Sequence, residues 1–135
     1  VCASLTAHEA LVAGTAGGAH AFRAPEDYDA TANATVGTAV DMWSLGVTLF
    51  GLTFGVLPFA ADSYADLRTQ IRTVDVSFDD AIRRAPAALQ SDPLLPRWRA
   101  YLAQLLLKSP SDRCRAKTLR DRLRSEFPLL VEPLE

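Results

Sequence analysis

The sequence predicts a mainly α-helical fold, and three observations support this. Four stretches of the 135-residue chain are predicted helices, of which one is apolar on nearly every face and one has a clear apolar side. No stretch of useful length alternates between apolar and polar residues as an amphipathic strand would. The segments between the helical stretches are broken by most of the 8 prolines and 7 glycines. With 49% apolar residues and a net charge of −2, the composition excludes intrinsic disorder, and the length allows one domain at most.

The first 37 residues are predicted to be irregular. Residues 1–21 show no sustained period and contain three closely spaced glycines. Residues 22–37 are interrupted by Pro25 and Gly37 and are rich in Asp, Asn and Thr. An irregular segment of this length is usually functional or disordered.

The first helix is predicted over residues 40–55. It lies within residues 42–61, which carry no formal charge, and it is apolar on nearly every face. Such a stretch is long enough to cross a membrane, so a membrane-associated helical protein is one interpretation. Three glycines and Pro58 interrupt the stretch, and no basic cluster flanks it to set an orientation. We therefore favour the buried central helix of a soluble domain.

Three further helices follow. Asp62 or Ser63 can cap a helix that ends near Thr73. Residues 74–93, with two prolines, are predicted to be irregular. An amphipathic helix is predicted over residues 96–107, and its apolar side consists of Trp98, Leu102, Leu105 and Leu106. A turn at residues 109–112 and a final helix over residues 117–126 complete the assignment, and the tail to residue 135 is unassigned.

Charge and cysteine content limit the classes of partner and compartment. Residues 108–124 carry seven basic side chains, which we interpret as a solvated helix face, with nucleic-acid binding as the alternative. The two cysteines, Cys2 and Cys114, are too few for a disulfide framework or a zinc site and suggest a reducing, cytoplasmic location. Because the chain begins at Val1 without a signal-peptide pattern, we expect a fragment of a longer protein.

Three blocks in fixed order carry the functional signal. They are Gly-Ala-His-Ala-Phe-Arg-Ala-Pro-Glu at residues 18–26, Asp-Met-Trp-Ser-Leu-Gly-Val-Thr-Leu-Phe at residues 41–50, and Leu-Leu-Leu-Lys-Ser-Pro-Ser-Asp-Arg at residues 105–113. Gly55 and Pro58-Phe59 follow the second block. Ala-Pro-Glu belongs to the protein-kinase signature set. Together the blocks resemble the C-terminal lobe of a eukaryotic serine/threonine protein kinase, and they are most similar to the calcium/calmodulin-dependent protein kinase kinase group.

The resemblance covers nearly the whole chain and implies its domain organisation. It implies the C-terminal helical lobe of a protein-kinase-like α+β fold, without the N-terminal lobe and the catalytic loop. Residues 1–130 would be a partial kinase domain, with an activation segment at 1–26, a helical subdomain at 38–127 and a tail at 131–135.

The resemblance also implies roles for individual residues. The substrate-docking loop would consist of Gly18, Ala19, His20, Ala21, Phe22, Arg23 and Ala24. Glu26 and Arg113 would form a structural pair, since a largely buried carboxylate needs a partner and arginine offers a bidentate one. Asp41 would support the catalytic loop. The candidate phosphorylation sites are Ser4, Thr6 and Thr15.

The implied activity of the parent protein is transfer of the γ-phosphoryl group of ATP, with Mg²⁺, to protein serine or threonine. The motifs that such transfer needs, including a Gly-rich loop and the catalytic and metal-binding aspartates, do not occur in this sequence. We therefore expect no catalytic residue or metal site in the chain, and no activity from the chain alone. The expected partners are a protein substrate and an upstream activator or calmodulin-type regulator, with no nucleic acid and no membrane.

One departure from the family pattern leaves an alternative open. Serine/threonine kinases typically have a threonine that bridges catalytic groups where this chain has Ala19. Alanine cannot form that bridge. Gly14-Thr15 could be the displaced pair with a four-residue insertion, which would change the loop geometry. A pseudokinase or a protein-interaction scaffold without phosphotransfer is therefore the alternative function.

Overall fold

The computed structural model describes residues 18–29 and 37–127. Two 3₁₀ turns come first, η1 (Gly18–Phe22) and η2 (Pro25–Tyr28). Six α-helices follow: α1 (Thr38–Phe54), α2 (Tyr64–Thr73), α3 (Phe78–Arg84), α4 (Ala87–Gln90), α5 (Leu95–Leu105) and α6 (Ala116–Glu126). The described residues contain no strand, so the prediction of a mainly α-helical fold is confirmed.

Helix α1 is the centre of the structure. Its residues Trp43, Val47 and Phe50 are almost completely buried and belong to the main hydrophobic core. The helix ends at Gly55, whose φ of 72° is a left-handed conformation that glycine adopts without steric cost. In the part of the chain that the structure describes, no helix is long and apolar enough to cross a membrane.

Helix α5 packs closely against α1. A Cβ atom built on Gly46 would lie 2.8 Å from the Leu105 Cβ atom and 3.0 Å from a methyl carbon of Leu106. The glycine in α1 therefore permits the two helices to approach. The pair is also joined by the Trp98 indole N–H, which donates to the Thr53 hydroxyl over 2.7 Å.

Helix α2 begins where the sequence predicts. Ser63 is its N-cap, and the Ser63 hydroxyl accepts a hydrogen bond of 3.1 Å from the Asp66 backbone N–H. The helix buries Leu67 and Ile71 in the core and packs against η2.

The prediction of an irregular segment at residues 74–93 is wrong. Helices α3 and α4 lie there, and α3 buries Phe78 and Ala81. The Phe78 ring lies 5.6 Å from the Phe50 ring of α1. With seven and four residues, these helices are too short to show a helical period in the sequence, and contact with the core stabilises them.

The segment from residue 22 onwards is also more regular than predicted. Pro25 was expected to interrupt the chain, but it occupies the start of η2, where its fixed φ is compatible with a helical turn. Pro25 and Tyr28 are both buried.

Candidate functional site

The two 3₁₀ turns, η1 and η2, are joined to each other by a side-chain hydrogen bond. Ala21 and Ala24 are almost completely buried and belong to the main hydrophobic core. The Tyr28 hydroxyl donates a hydrogen bond of 2.8 Å to the His20 carbonyl oxygen and so joins η2 to η1. Burial, with the Tyr64 phenol as a smaller cause, raises the pKa of Tyr28 above its usual value. The phenol therefore remains a donor at neutral pH.

Helices α1 and α2 hold the same unit from behind. The Ser44 hydroxyl of α1 donates to the Phe22 carbonyl oxygen over 2.9 Å. From α2, Arg68 Nη2 donates to the Tyr28 carbonyl oxygen over 3.1 Å, and Arg72 pairs with the Asp29 carboxylate at 2.5 Å. Three contacts from two helices therefore fix the position of residues 22–29.

Glu26 and Arg113 form a bidentate ion pair, so the structure brings together the two residues that the sequence pairs. Arg113 Nη1 donates to Glu26 Oε1 over 2.7 Å, and Arg113 Nη2 donates to Glu26 Oε2 over 3.0 Å. The Arg113 side chain is fully buried and the Glu26 side chain is 11% exposed. Parallel N–H···O bonds in a buried site are the strong form of this interaction.

The guanidinium group of Arg113 also donates to three backbone carbonyls. Its Nη1 atom lies 2.6 Å from the Ala39 oxygen in the first turn of α1. Its Nε and Nη2 atoms reach the carbonyl oxygens of Leu107 and Lys108 over 3.0 Å and 3.3 Å. Arg113 therefore ties η2, the start of α1 and the turn after α5 to one another.

Lys108 lies beside this pair in an aromatic environment. Its ammonium group is 4.3 Å from the Phe59 ring centroid and 5.2 Å from the Trp43 centroid, and it donates to the Ile71 carbonyl oxygen over 2.6 Å. Burial lowers the pKa of Lys108 to about 8, although Asp75 opposes the shift. The amine thus caps the end of α2, where the helix dipole favours a cation.

The outer surface of η1 presents small and polar groups. Ala19 and Arg23 are exposed. The His20 ring lies edge-on against the Tyr64 ring at 4.8 Å, and its Nδ1 atom is buried without a hydrogen-bond partner among the described residues. Arg23 donates to the Asp27 carbonyl oxygen and lies 5.0 Å over the Tyr28 ring. The backbone of η1 is therefore held in place, while its outer edge, with Ala19 and Arg23, is exposed.

The remaining predicted residues do not join this cluster. Asp41 lies in the first turn of α1 and is exposed. Ser4, Thr6 and Thr15 lie outside the described residues. Within residues 18–29 and 37–127, no group of three or more His, Cys, Asp or Glu side chains could hold a metal ion.

The basic run at residues 108–124 is not a continuous solvated face. Arg113 is buried in its ion pair and Lys108 is half-buried against aromatic rings. The other basic side chains of the run are exposed.

The sequence does not predict a role for five residues that position the site: Tyr28, Ser44, Arg68, Arg72 and Lys108. Ser44 and Lys108 lie inside the quoted blocks, but no role was predicted for either. A lysine directly after three leucines was the available signal for Lys108, because a cation so placed must find partners near the core. No signal in the sequence indicates that Tyr28 would reach back to His20.

The sequence comparisons with known proteins agree with one another. The sequence model of the family described as "Protein kinase domain" matches residues 2–123. The serine/threonine-protein kinase TOS3 of Saccharomyces cerevisiae is 30% identical over 118 residues, which cover 85% of this chain and 21% of the yeast protein. A calcium/calmodulin-dependent protein kinase kinase of Caenorhabditis elegans is 38% identical over 74 residues, 54% of this chain and 14% of the worm protein.

A solved structure has a similar fold. The crystal structure of the Rad53 kinase domain and SCD2 in complex with AMPPNP matches with a TM-score of 0.57 at 22% identity. The match covers 85% of this chain and 40% of that one. The chain therefore spans about a fifth of the length of the yeast relative and less than half of the solved chain.

Proposed function

The chain belongs to the protein kinase domain family, and from this premise we propose that it forms the C-terminal lobe of a serine/threonine protein kinase. The parent enzyme transfers the γ-phosphoryl group of ATP to serine or threonine of a protein substrate. The observation that carries the proposal is the buried pair of Glu26 and Arg113. It joins an Ala-Pro-Glu sequence to a turn 87 residues further along the chain, inside the region that the family model matches.

In this proposal the substrate-docking loop consists of residues 18–24. Its backbone is held by the Ser44 and Tyr28 hydroxyls, while Ala19 and Arg23 remain exposed. A backbone that is fixed before binding costs less conformational entropy when a peptide binds to it. A shallow cleft of about 390 Å³ on α2, lined by Tyr64 and Arg68 among others, continues the surface beyond His20.

The proposed domain boundaries follow from the resemblance to the C-terminal lobe of a kinase. The activation segment is residues 1–26 and the helical subdomain is residues 38–127, within a partial kinase domain at 1–130 and before a tail at 131–135. The exposed Asp41 carboxylate is free to accept backbone N–H groups of a catalytic loop. Phosphorylation of Ser4, Thr6 or Thr15 would add charge that arginine can pair with, and so would regulate the segment.

ATP and Mg²⁺ are assigned to other parts of the enzyme. The motifs that phosphoryl transfer needs, including a Gly-rich loop and the catalytic and metal-binding aspartates, do not occur in this sequence. The chain alone is accordingly inactive in this proposal. The parent is a cytoplasmic protein whose partners are its substrate and an upstream activator or calmodulin-type regulator.

The test is phosphoryl transfer by the full-length protein that contains this chain. The protein is incubated with [γ-³²P]ATP, Mg²⁺ and a generic protein substrate, and the labelled amino acids are separated. We expect label on serine and threonine. Absence of transfer from a folded full-length protein would contradict the proposal.

Paired variants test the docking loop within the active protein. Arg23→Gln should raise the KM for the protein substrate, because Arg23 is exposed at the edge of the loop. Arg84→Gln removes the same charge from the end of α3 and should leave KM unchanged. Equal effects of the two substitutions would contradict the assignment of residues 18–24.

A second candidate function rests on Ala19. Alanine at this position lacks the hydroxyl that bridges catalytic groups in typical serine/threonine kinases, which favours a pseudokinase or interaction scaffold. The coding sequence upstream of Val1 separates the two: catalytic and metal-binding aspartates favour the kinase, and their replacement favours the scaffold. In the transfer assay, Ala19→Thr should raise the rate of a weakly active kinase and have no effect on a scaffold.

A further inference from the structure

An apolar groove lies between the start of α5 and the end of α6. Its volume is about 260 Å³. The apolar side chains that line it come from α4, α5 and α6 and from the residue directly after α6; they are Leu89, Leu94, Leu95, Trp98, Leu123 and Phe127. No lining residue belongs to η1 or η2, so the groove is distinct from the proposed docking loop.

The groove lies where two hydrophobic clusters meet. Leu95 is buried in the main cluster, Leu123 packs against the second cluster, and Trp98 packs against both. Leu94 is 50% exposed. Asp92 is the one charged side chain of the lining, and its Oδ1 atom accepts a hydrogen bond of 2.8 Å from the Leu94 backbone N–H. The surface of the groove is therefore almost entirely apolar, which favours an apolar occupant.

The chain continues from the edge of the groove into an apolar segment. Helix α6 ends at Glu126, and Phe127 lines the groove. Pro128 follows, and it cannot extend the helix because it has no backbone N–H. Residues 128–135 lie outside the described residues, and their sequence is Pro-Leu-Leu-Val-Glu-Pro-Leu-Glu. Three aliphatic residues thus follow within four positions of the groove, before the first acidic residue at position 132.

We propose that residues 128–135 fold back onto this groove and that the aliphatic side chains of residues 129–131 occupy it. A segment attached directly to the edge of its binding site has an effective concentration on the order of millimolar, so a modest apolar contact is enough to hold it. The groove is smaller than the about 300–1,000 Å³ of a typical small-molecule pocket. Its seven lining residues are also far fewer than the about 20–30 per side of a stable protein interface. Size and attachment therefore both favour the segment over a separate partner.

Disulfide trapping in the full-length protein that contains this chain tests the proposal. Leu94→Cys is combined in turn with Leu129→Cys, Leu130→Cys and Val131→Cys, and the linked peptides are identified by mass spectrometry after mild oxidation. We expect at least one pair to form a disulfide within one molecule, because the bond requires Cβ atoms within about 4.5 Å of each other. The matched control replaces Leu94→Cys by Val74→Cys. Val74 is 49% exposed and does not line the groove, so it should form no such link.

The other outcomes of this experiment overturn the proposal. A disulfide between two molecules, detected by mixing isotopically labelled and unlabelled protein, would assign the groove to a second copy of the chain. Links that are no more frequent with Leu94→Cys than with Val74→Cys would show that the segment does not occupy the groove and leaves it open to a different partner.

Hydrogen exchange of the same full-length protein provides a test without new cysteines. Leu130→Asp should raise the exchange rate of backbone amides in residues 94–98 and 123–127 about threefold or more, because a charged side chain disfavours the apolar groove and the cover is lost. The control is Val74→Asp, the introduction of the same charge at an exposed apolar position outside the groove, which should leave these rates unchanged. Equal effects of the two substitutions, or no effect of Leu130→Asp, would contradict the proposal. Circular dichroism melts verify that each variant is folded.

Discussion

Replacing Arg113 by alanine should lower the free energy of unfolding by about 3–5 kcal/mol. The structure decides this magnitude, because the Arg113 side chain is fully buried and its partner Glu26 is 11% exposed. An exposed ion pair would contribute no more than about 1 kcal/mol. Here the substitution leaves a buried carboxylate without its counter-charge. It also leaves the carbonyl oxygens of Ala39, Leu107 and Lys108 without their donor.

Urea unfolding of the full-length protein that contains this chain measures this loss, followed by circular dichroism and by tryptophan fluorescence. Trp43 is one reporter, since its ring centroid lies 5.2 Å from the Arg113 guanidinium carbon. The control is Arg120→Ala, which breaks the exposed pair with Asp121 and should cost less than about 1 kcal/mol. A double-mutant cycle with Glu26→Gln should give a coupling free energy of at least about 1 kcal/mol. If Arg113→Ala costs no more than Arg120→Ala, the pair does not hold η2 in place and the reasoning is wrong.

Three further outcomes are expected from urea or thermal unfolding. Gly46→Ala should destabilise the chain by about 1–3 kcal/mol, because the added Cβ atom would lie 2.8 Å from the Cβ atom of Leu105. The control is Leu45→Ala, which changes a neighbouring exposed side chain and should cost less. Ser63→Ala should cost about 0.5–2 kcal/mol through loss of the α2 cap, and Ser63→Asp, which can also cap the helix, should restore most of it. Burial lowers the pKa of Lys108 to about 8 in the folded chain, whereas a lysine in an unfolded chain has a pKa of about 10.4. Between these values the unfolded chain binds more protons than the folded chain, so raising the pH from about 8 to 10 should stabilise the fold. The gain should be less than about 1 kcal/mol, because solvent screens the half-buried amine. Lys108→Gln should remove this increase, and an unchanged pH profile in that variant would exclude Lys108 as its source.

The helices that the sequence predicted are those with strong local signals. Helices α1, α2, α5 and α6 all fall within two residues of the predicted limits, because each is at least ten residues long and several have a local boundary signal such as Gly55 or Ser63. Helices α3 and α4 were missed because they are short and depend on core contacts such as that between Phe78 and Phe50.

The candidate site also contains contacts that the sequence predicts and contacts that it does not. The chemistry of a buried carboxylate predicts an arginine partner for Glu26, and the family resemblance selects Arg113 from twelve arginines in the chain. The contact between the Tyr28 hydroxyl and the His20 carbonyl depends on the path of the backbone through two 3₁₀ turns. No periodicity encodes such a path, so only the three-dimensional structure reveals it.

The turn between α5 and α6 holds η2, which directly follows the proposed docking loop, although the turn lies more than 80 residues from that loop in the sequence. Arg113 from this turn holds Glu26 of η2 and the first turn of α1. Lys108 from the same turn holds the last turn of α2, and α2 in turn holds residues 28 and 29. Both cations also lie against the ring of Trp43, so the two connections share one buried neighbour. A change in this turn therefore reaches η2 through two helices at once. If residues 18–24 dock the substrate as proposed, substitutions in this turn should alter substrate docking as well as stability, even though no residue of the turn lies in that loop.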